Sequence, residues 1–149
     1  MKKNITIWIV LFLIVPSEIL IANTKFLSLK KDKVYVRYGP SFDSPIKYIY
    51  RKINLPIKQI DKKENWRRII DLNNNSGWIH NSQLKKVNSI IILENKILFK
   101  KPTKFSKPIA RLEKGRLLII KRCEKIWCKI NTDNYSGWII NNKVWGYIK

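Results

Sequence analysis

The chemistry that most enzymes need is scarce in this chain of 149 residues. There is one histidine, His80, there are two cysteines, Cys123 and Cys128, and only 10 residues are acidic. A structural zinc site takes four ligands, and covalent catalysis takes a nucleophile, a base and an orienting group held together. A lone histidine far from both cysteines, with scattered carboxylates, supplies neither set. The sequence therefore predicts no metal, no cofactor and no catalytic residue. The 5 glycines stand apart, so no glycine-rich phosphate loop is present. No long segment keeps a helical period, which excludes a helix bundle.

What is present begins with a leader. In MKKNITIWIVLFLIVPSEILIAN, Lys2 and Lys3 precede an apolar run from Ile5 to Val15, which Pro16, Ser17 and Glu18 end. A bilayer span needs about 20 apolar residues, so this layout reads as a secretory signal peptide over residues 1–22, cut after Ala22. A retained N-terminal anchor is the competing reading. No cysteine follows the cut, which argues against a lipid-anchored form. The expectation is an exported, periplasmic protein with no transmembrane span once the leader is removed.

Export sets the reading of KRCEKIWCKI, residues 121–130. Disulfides persist in oxidising compartments and are rare in cytosol. Five extended residues span roughly 16 Å, whereas bridged cysteines hold their Cα atoms about 4.4 to 6.8 Å apart. A bridge between Cys123 and Cys128 thus requires a turn, with Glu124 to Trp127 as the loop of a tight hairpin. The alternative is a reactive pair, although the spacing is C-x4-C and the thioredoxin-like motif is C-x-x-C.

The formal net charge is +21, and a leader takes only Lys2, Lys3 and Glu18 with it. Such a surface attracts polyanions. Export removes nucleic acid from the expected partners and leaves acidic envelope polymers, lipid head groups or an acidic protein. A compositional reading stands against this one: isoleucine, lysine and asparagine dominate the chain, and all three have A/T-rich codons.

The chain repeats itself at a spacing of about 61 residues, the period of a small stacked unit. NWRRIIDLNNNSGWIHNSQL from Asn65 matches IWCKINTDNYSGWIINNKVW from Ile126, sharing Ser-Gly-Trp-Ile and a tryptophan upstream of it. Pro40 and Pro45 are matched with Pro102 and Pro108. Each copy reads as short strands: VYVRY, IKYIY, LPIKQI, WRRIIDL and GWIH, then ILFKK, IARLE, RLLIIK, WCKIN and GWII. These runs are rich in β-branched and aromatic residues and bounded by Gly, Pro, Asn and Asp. Gly77 and Gly137 read as turn glycines after Asn/Asp-rich loops. The predicted fold is all-β: two tandem small barrels, residues 26–86 and 89–149, joined by KKVNS.

KVYVRYGPSFDSPIKYIY, NWRRI and SGWIH, followed by CEKIWCKI, YSGWI and VWGYI, resemble the bacterial SH3-like domain family in its exported, tandem form. The resemblance runs from Leu27 to Ile148. The opening V-x-V-R-x-G-P is intact at Val34, Val36, Arg37, Gly39 and Pro40, whereas the second copy opens ILFKKPT and lacks Arg-x-Gly-Pro. The resemblance implies an SH3-like barrel in each half, a periplasmic or cell-surface setting, and binding rather than catalysis. Family members are often fused to wall-active enzymes, and no such domain is legible in these residues.

Strand parity makes one local expectation. Residues an odd number apart face opposite ways, so Trp66 opposes Ile69 and Trp78 opposes Ile79, and Trp127 and Trp138 oppose Ile130 and Ile139. With the isoleucines as core, Trp66, Trp78, Tyr38 and Tyr48 form a candidate aromatic groove, and Trp127, Trp138 and Tyr135 its counterpart. Packing of these rings against a barrel end or between barrels is the competing role. His80 reads as structural, and Trp145 as packing the chain end on the second barrel. The functional expectation is a non-catalytic exported adaptor that binds cell-wall peptidoglycan or an envelope protein. The alternatives are an accessory subunit of a wall enzyme and a charge-driven binder of anionic surfaces.

Overall fold

The computed structural model describes residues 25–132 and 134–147. The predicted leader lies outside them. The first copy comprises β1 (Lys25–Leu29), β2 (Val34–Arg37), β3 (Ile46–Tyr50), β4 (Pro56–Lys63), β5 (Trp66–Ile70), β6 (Ser76–His80), a 3-10 turn (Asn81–Gln83) and β7 (Leu84–Lys86). The second comprises β8 (Ser89–Ile92), β9 (Lys96–Phe99), β10 (Pro108–Leu112), β11 (Leu117–Glu124), β12 (Trp127–Asn131), β13 (Ser136–Ile140) and β14 (Val144–Gly146). Each copy is a 7-stranded antiparallel sheet, ordered β3-β2-β6-β5-β4-β1-β7 and β10-β9-β13-β12-β11-β8-β14. The two orders coincide when one copy is laid on the other.

Each sheet coils around its own aliphatic core. Leu27, Leu29, Val34, Val36, Ile57, Ile69, Ile79 and Leu84 fill the first, and Ile90, Ile92, Leu98, Leu112, Leu118, Ile120, Ile130 and Ile139 the second. The parity argument places these isoleucines correctly, because successive strand residues face opposite sides. Sequence reading missed β1, β7, β8 and β14. Three-residue strands such as β7 and β14 carry too little alternation to declare themselves, and β1 abuts the apolar leader.

Both copies carry a bulge at one place, between Gln59 and Asp61 in β4 and between Ile120 and Arg122 in β11. The extra residue bends the long strand and tightens its twist, so one strand serves two neighbours of the coiled sheet. Beyond the bulge each strand runs into a two-residue turn. Lys63 pairs with Trp66 and Glu124 with Trp127, so the second hairpin's loop is two residues shorter than the predicted Glu124 to Trp127. Glu64 and Lys125 take positive φ there, 47° and 53° respectively.

Cys123 and Cys128 face each other across this hairpin and form a disulfide. Cys128 is fully buried on the core side, and Cys123 packs against the core. In the first copy Lys62 and Arg67 occupy the paired positions. There the Arg67 guanidinium donates to the carbonyls of Glu64 at 2.8 Å and Trp66 at 2.9 Å. One hairpin is closed covalently, the other by charge-assisted hydrogen bonds.

Gly77 and Gly137 are not turn glycines. They lie inside β6 and β13, paired with Ile69 and Ile130, where the sheet closes on itself through the pairs Arg37–Trp78 and Phe99–Trp138. A Cβ on Gly77 would collide with Val36 Cγ1, and one on Gly137 would sit 2.7 Å from the Phe99 carbonyl oxygen and 2.9 Å from Leu98 Cγ. Glycine is required for close approach, a role that strand glycines take where another backbone comes near. The Ser-Gly-Trp-Ile signature is therefore a barrel-closing device.

The proline match also shifts. Pro40 and Pro102 are equivalent, but Tyr38 N donates to Pro45 O while Lys100 N donates to Lys107 O, at 3.1 and 3.0 Å. Pro45 thus corresponds to Lys107, and Pro108 to Ile46, since Arg37 pairs with Ile46 and Phe99 with Pro108. The second loop's Pro108 has moved one residue into the strand.

The barrels meet through the outer faces of β1 and β8. Ser28 and Ser89, both fully buried, hydrogen-bond at 2.9 Å, and Ser89 Oγ donates to the Asn54 carbonyl at 2.6 Å. Trp145 corrects a further expectation: it packs against the first barrel, with Nε1 donating to Pro56 O at 2.9 Å and its ring edge-on to Phe26 at 5.1 Å.

Two outcomes follow from this packing. Gly77→Ala and Gly137→Ala each lower stability by about 1 to 3 kcal/mol, the usual range for overpacking, read as a fall in the urea midpoint; unchanged midpoints would contradict the close-approach role. Replacing Cys123 and Cys128 together by serine leaves a folded protein that loses about 2 kcal/mol, the chain-entropy value for so short a ring. Complete unfolding of that variant in circular dichroism would show that the bond does more than staple a hairpin.

Candidate functional site

The exposed rings of the first barrel gather on one outer face. Trp66 pairs with His80, and Trp78 stands between Arg37 and Arg68 in the register. These positions alternate with the core residues Ile69 and Ile79, so the strands aim all of them outward. The loop between β2 and β3 then lays Phe42 over them. Its ring centroid is 5.0 Å from that of Trp66 and 5.0 Å from that of His80, and Trp66 and His80 are 5.2 Å apart. Phe42 is 65% exposed and Trp66 only 6%. Trp66 is the floor of this cluster and Phe42 its surface.

Arg37 fixes the loop that carries Phe42. Its guanidinium donates to the Ser44 carbonyl at 2.7 Å and lies 6.0 Å from the Phe42 ring centre. Gly39 lies beneath the same loop, where a Cβ would fall 2.7 Å from Ser44 Oγ and turn that hydroxyl aside. The Arg-x-Gly-Pro opening thus holds an aromatic loop in place, with Ser41 Oγ accepting from Asp43 N at 3.1 Å as a local turn lock. Beside it Tyr38 is 64% exposed, with the Lys47 ammonium 5.6 Å from its ring. Lys47 is itself anchored on the Ser76 carbonyl at 2.8 Å.

His80 has a structural duty within the cluster. Its Nδ1 accepts from Ser82 N and lies 2.8 Å from Ser82 Oγ, capping the 3-10 turn. That leaves the ring packed edge-on to Trp66 and under Phe42.

Tyr48 does not join these rings. The register pairs it with Val36, which puts it on the inner side of β3 against the core. Its hydroxyl lies 3.4 Å from that of Tyr50, and Tyr50 donates to Asp71 Oδ2 at 3.0 Å. Burial pushes both phenol pKa values up, Tyr50 the further. Asp71 also accepts from the backbone of Asn73 and Asn75, so the Asn-rich turn is built around one carboxylate.

The second barrel uses the same strand positions differently. Trp127 is 9% and Trp138 6% exposed. Phe99 packs edge-on to Trp127 at 5.7 Å, and the Arg122 guanidinium covers Trp138 at 5.2 Å. Among the described residues these contacts leave both tryptophans buried. Tyr135 lies apart from both tryptophans and lines a cleft of about 1190 Å³ with Lys52 and Asn54 of the first barrel and Arg111, Lys114, Arg116 and Lys121 of the second. Among the described residues Glu113 is the acidic side chain lining it, and the ion pairs found among them involve none of these cations.

The structure turns Trp66 and Trp78 outward as strand parity expects, and covers Trp66 with residues the sequence reading did not include. Phe42 and His80 were absent from the candidate groove. The Phe42 signal was legible as an aromatic residue inside a Pro-bracketed loop behind an intact Arg-x-Gly-Pro. Among the described residues no three His, Cys, Asp or Glu side chains cluster as metal ligands, and no helix is long and apolar enough to cross a membrane.

Two coiled antiparallel sheets, each with a ring-bearing hairpin and a glycine closure, define a pair of small SH3-like barrels. The family described as the bacterial SH3 domain matches residues 30–86 and again 94–146. The chain belongs to that family. It is similar to the solved structures of NlpC2 and NlpC1 from Trichomonas vaginalis, each at 11% identity, with TM-scores of 0.38 and 0.39. Those matches cover 85% and 90% of this chain, and 49% and 50% of theirs. An NlpC/P60 family protein from Bacillus cereus matches at 12% identity with a TM-score of 0.38, over 80% of this chain and 55% of that one. The chain spans about half the length of these three structures. No curated protein sequence matches it.

Proposed function

We propose that this protein is an exported, non-catalytic binding module that recognises a cell-wall polymer, peptidoglycan first, through the ring cluster of its first barrel. The carrying observation is the pairing of exposure with rigidity: Tyr38 and Phe42 are 64% and 65% exposed, yet Phe42 is seated on Trp66 and His80 and its loop is tied down by Arg37. Flat rings held in advance offer contact area at little entropic cost. They suit the apolar faces of sugar rings or an extended peptide. The leader and the disulfide support export, since such bonds persist in oxidising compartments. An envelope protein offering an extended segment is the other ligand of this shape.

The cationic cleft favours a second reading, in which an anionic envelope polymer binds by charge alone. Salt separates the two. The Debye length falls to about 3 Å at 1 M salt, which removes charge-driven attraction and leaves ring stacking.

The test is co-sedimentation of residues 23–149 with purified peptidoglycan sacculi from low salt to 1 M, beside a Tyr38→Ala, Phe42→Ala variant. Both rings are on the surface, so the variant keeps its core, and its circular dichroism checks this. Binding that survives 1 M salt and falls at least tenfold in the variant is expected. Equal sedimentation of variant and parent would overturn the ring-cluster reading, and loss with salt alone would move the site to the cleft.

A further inference from the structure

The β9–β10 hairpin carries a feature that wall recognition leaves unused. From Lys96 to Leu112 the chain has six basic residues, Lys96, Lys100, Lys101, Lys104, Lys107 and Arg111, and no acidic one. Lys96 is buried and paired with Glu94 at 3.1 Å and Asn142 at 2.7 Å. The other five are exposed. At the loop tip Phe105 is 99% exposed. A Phe this bare leaves its whole apolar surface in water.

The loop is ordered in a way that holds the ring out. Thr103 Oγ1 accepts from Phe105 N at 3.3 Å, Thr103 O from Ser106 N at 3.2 Å, and Ser106 Oγ from Lys101 N at 2.9 Å. The first barrel has the same turn, with Ser41 in place of Thr103 and Asp43 in place of Phe105. There the preceding residue, Phe42, folds back on Trp66. In the second barrel that position is Lys104, and Trp127 is covered from β9 by Phe99 instead. Phe105 is therefore an aromatic residue that packing does not use. Ile109, at the bulge where the loop enters β10, is 39% exposed and extends the apolar surface.

A lone ring on a convex tip requires a pocket in a partner protein, whereas a bilayer interface accepts it from any side. The exposed lysines that flank it in the loop carry the charge that lipid phosphates attract. We propose that the loop from Lys100 to Lys107 docks this protein on an anionic phospholipid bilayer, with Phe105 entering the boundary between head groups and acyl chains and Lys100, Lys101, Lys104 and Lys107 on lipid phosphates. Aromatic insertion combined with basic contacts is how peripheral elements hold to membranes. Burying a Phe ring is worth roughly tenfold to hundredfold in partitioning, and each basic residue near an anionic surface about fivefold.

The experiment uses residues 23–149 with vesicles of phosphatidylcholine and phosphatidylglycerol at three to one, against vesicles of phosphatidylcholine alone. The parent binds the anionic vesicles, and Phe105→Asp lowers partitioning tenfold or more. In Phe105→Trp the added emission, read as the difference from the parent, shifts to the blue on binding and is quenched by bromine-labelled acyl chains. Absence of binding, equal binding by Phe105→Asp, or an unquenched Trp at saturating lipid each overturns the proposal. So does loss of an envelope protein from a Phe105→Asp pull-down with vesicle binding unchanged, which assigns the loop to a protein. Tyr38→Ala, Phe42→Ala binds vesicles like the parent, so failure of the ring-cluster reading and failure of this one are separate results.

Discussion

Two buried hydroxyls, one from each copy of the repeat, sit at the centre of the molecule. Ser89 gives its proton to the Asn54 carbonyl, so Ser28 must donate to Ser89. A buried hydroxyl without a partner costs about 1 to 3 kcal/mol, and the three groups satisfy one another only when both barrels are docked. Trp145, Phe26 and Pro56 close over the contact from the side. Gly146 is needed there, at φ 128°, because a Cβ would meet Ser89 O and Pro56 Cβ. The cleft between the barrels, with cations from both, exists because this junction fixes their relation. The ring cluster and the Phe105 loop lie in different barrels, so the same contact sets the separation between the two proposed surfaces.

The copies keep one backbone and solve equivalent positions by different chemistry. The position of Val34 in the first core is Lys96 in the second, judged by their partners Tyr50 and Leu112. A buried ammonium is tolerable only when paired, and Glu94 and Asn142 supply that pairing. Lys96 and Lys143 in turn hold the Glu94 carboxyl below the ordinary carboxylate range. The Arg67 latch and the Cys123–Cys128 bond close equivalent hairpins, and Phe42 and Phe99 cover the equivalent tryptophans Trp66 and Trp127 from different directions. Divergence is thus concentrated in what surrounds the frame, while glycine closure, bulge and core parity persist. The ring cluster and the exposed Phe105 are consequences of that divergence at one loop.

Core and frame were legible in the sequence because they rest on short-range rules. Alternation set Ile69, Ile79, Ile130 and Ile139 inward, and the spacing of Cys123 and Cys128 required a turn between them, while the bond itself was expected from export with a reactive pair left open. The site was legible only by half. Parity says which face a tryptophan takes and is silent on whether Phe42, Phe99 or Arg122 will lie on top of it, since a loop's fold-back is decided by tertiary contacts. Tyr48 was misplaced for a related reason: the pairing with Val36 is a matter of register between strands, which one strand does not reveal. Gly77 and Gly137 were read as turn residues because an Asn-rich loop precedes them, whereas the distance from β6 to β2 and from β13 to β9 decides their role.

Calorimetric unfolding of residues 23–149 tests most directly whether the docked serine pair makes one unit of the two barrels. A single transition, with calorimetric and van't Hoff enthalpies equal as two-state behaviour requires, is the result this structure predicts. Two resolved transitions, or a calorimetric enthalpy about twice the van't Hoff value, would contradict it and show two barrels that unfold independently.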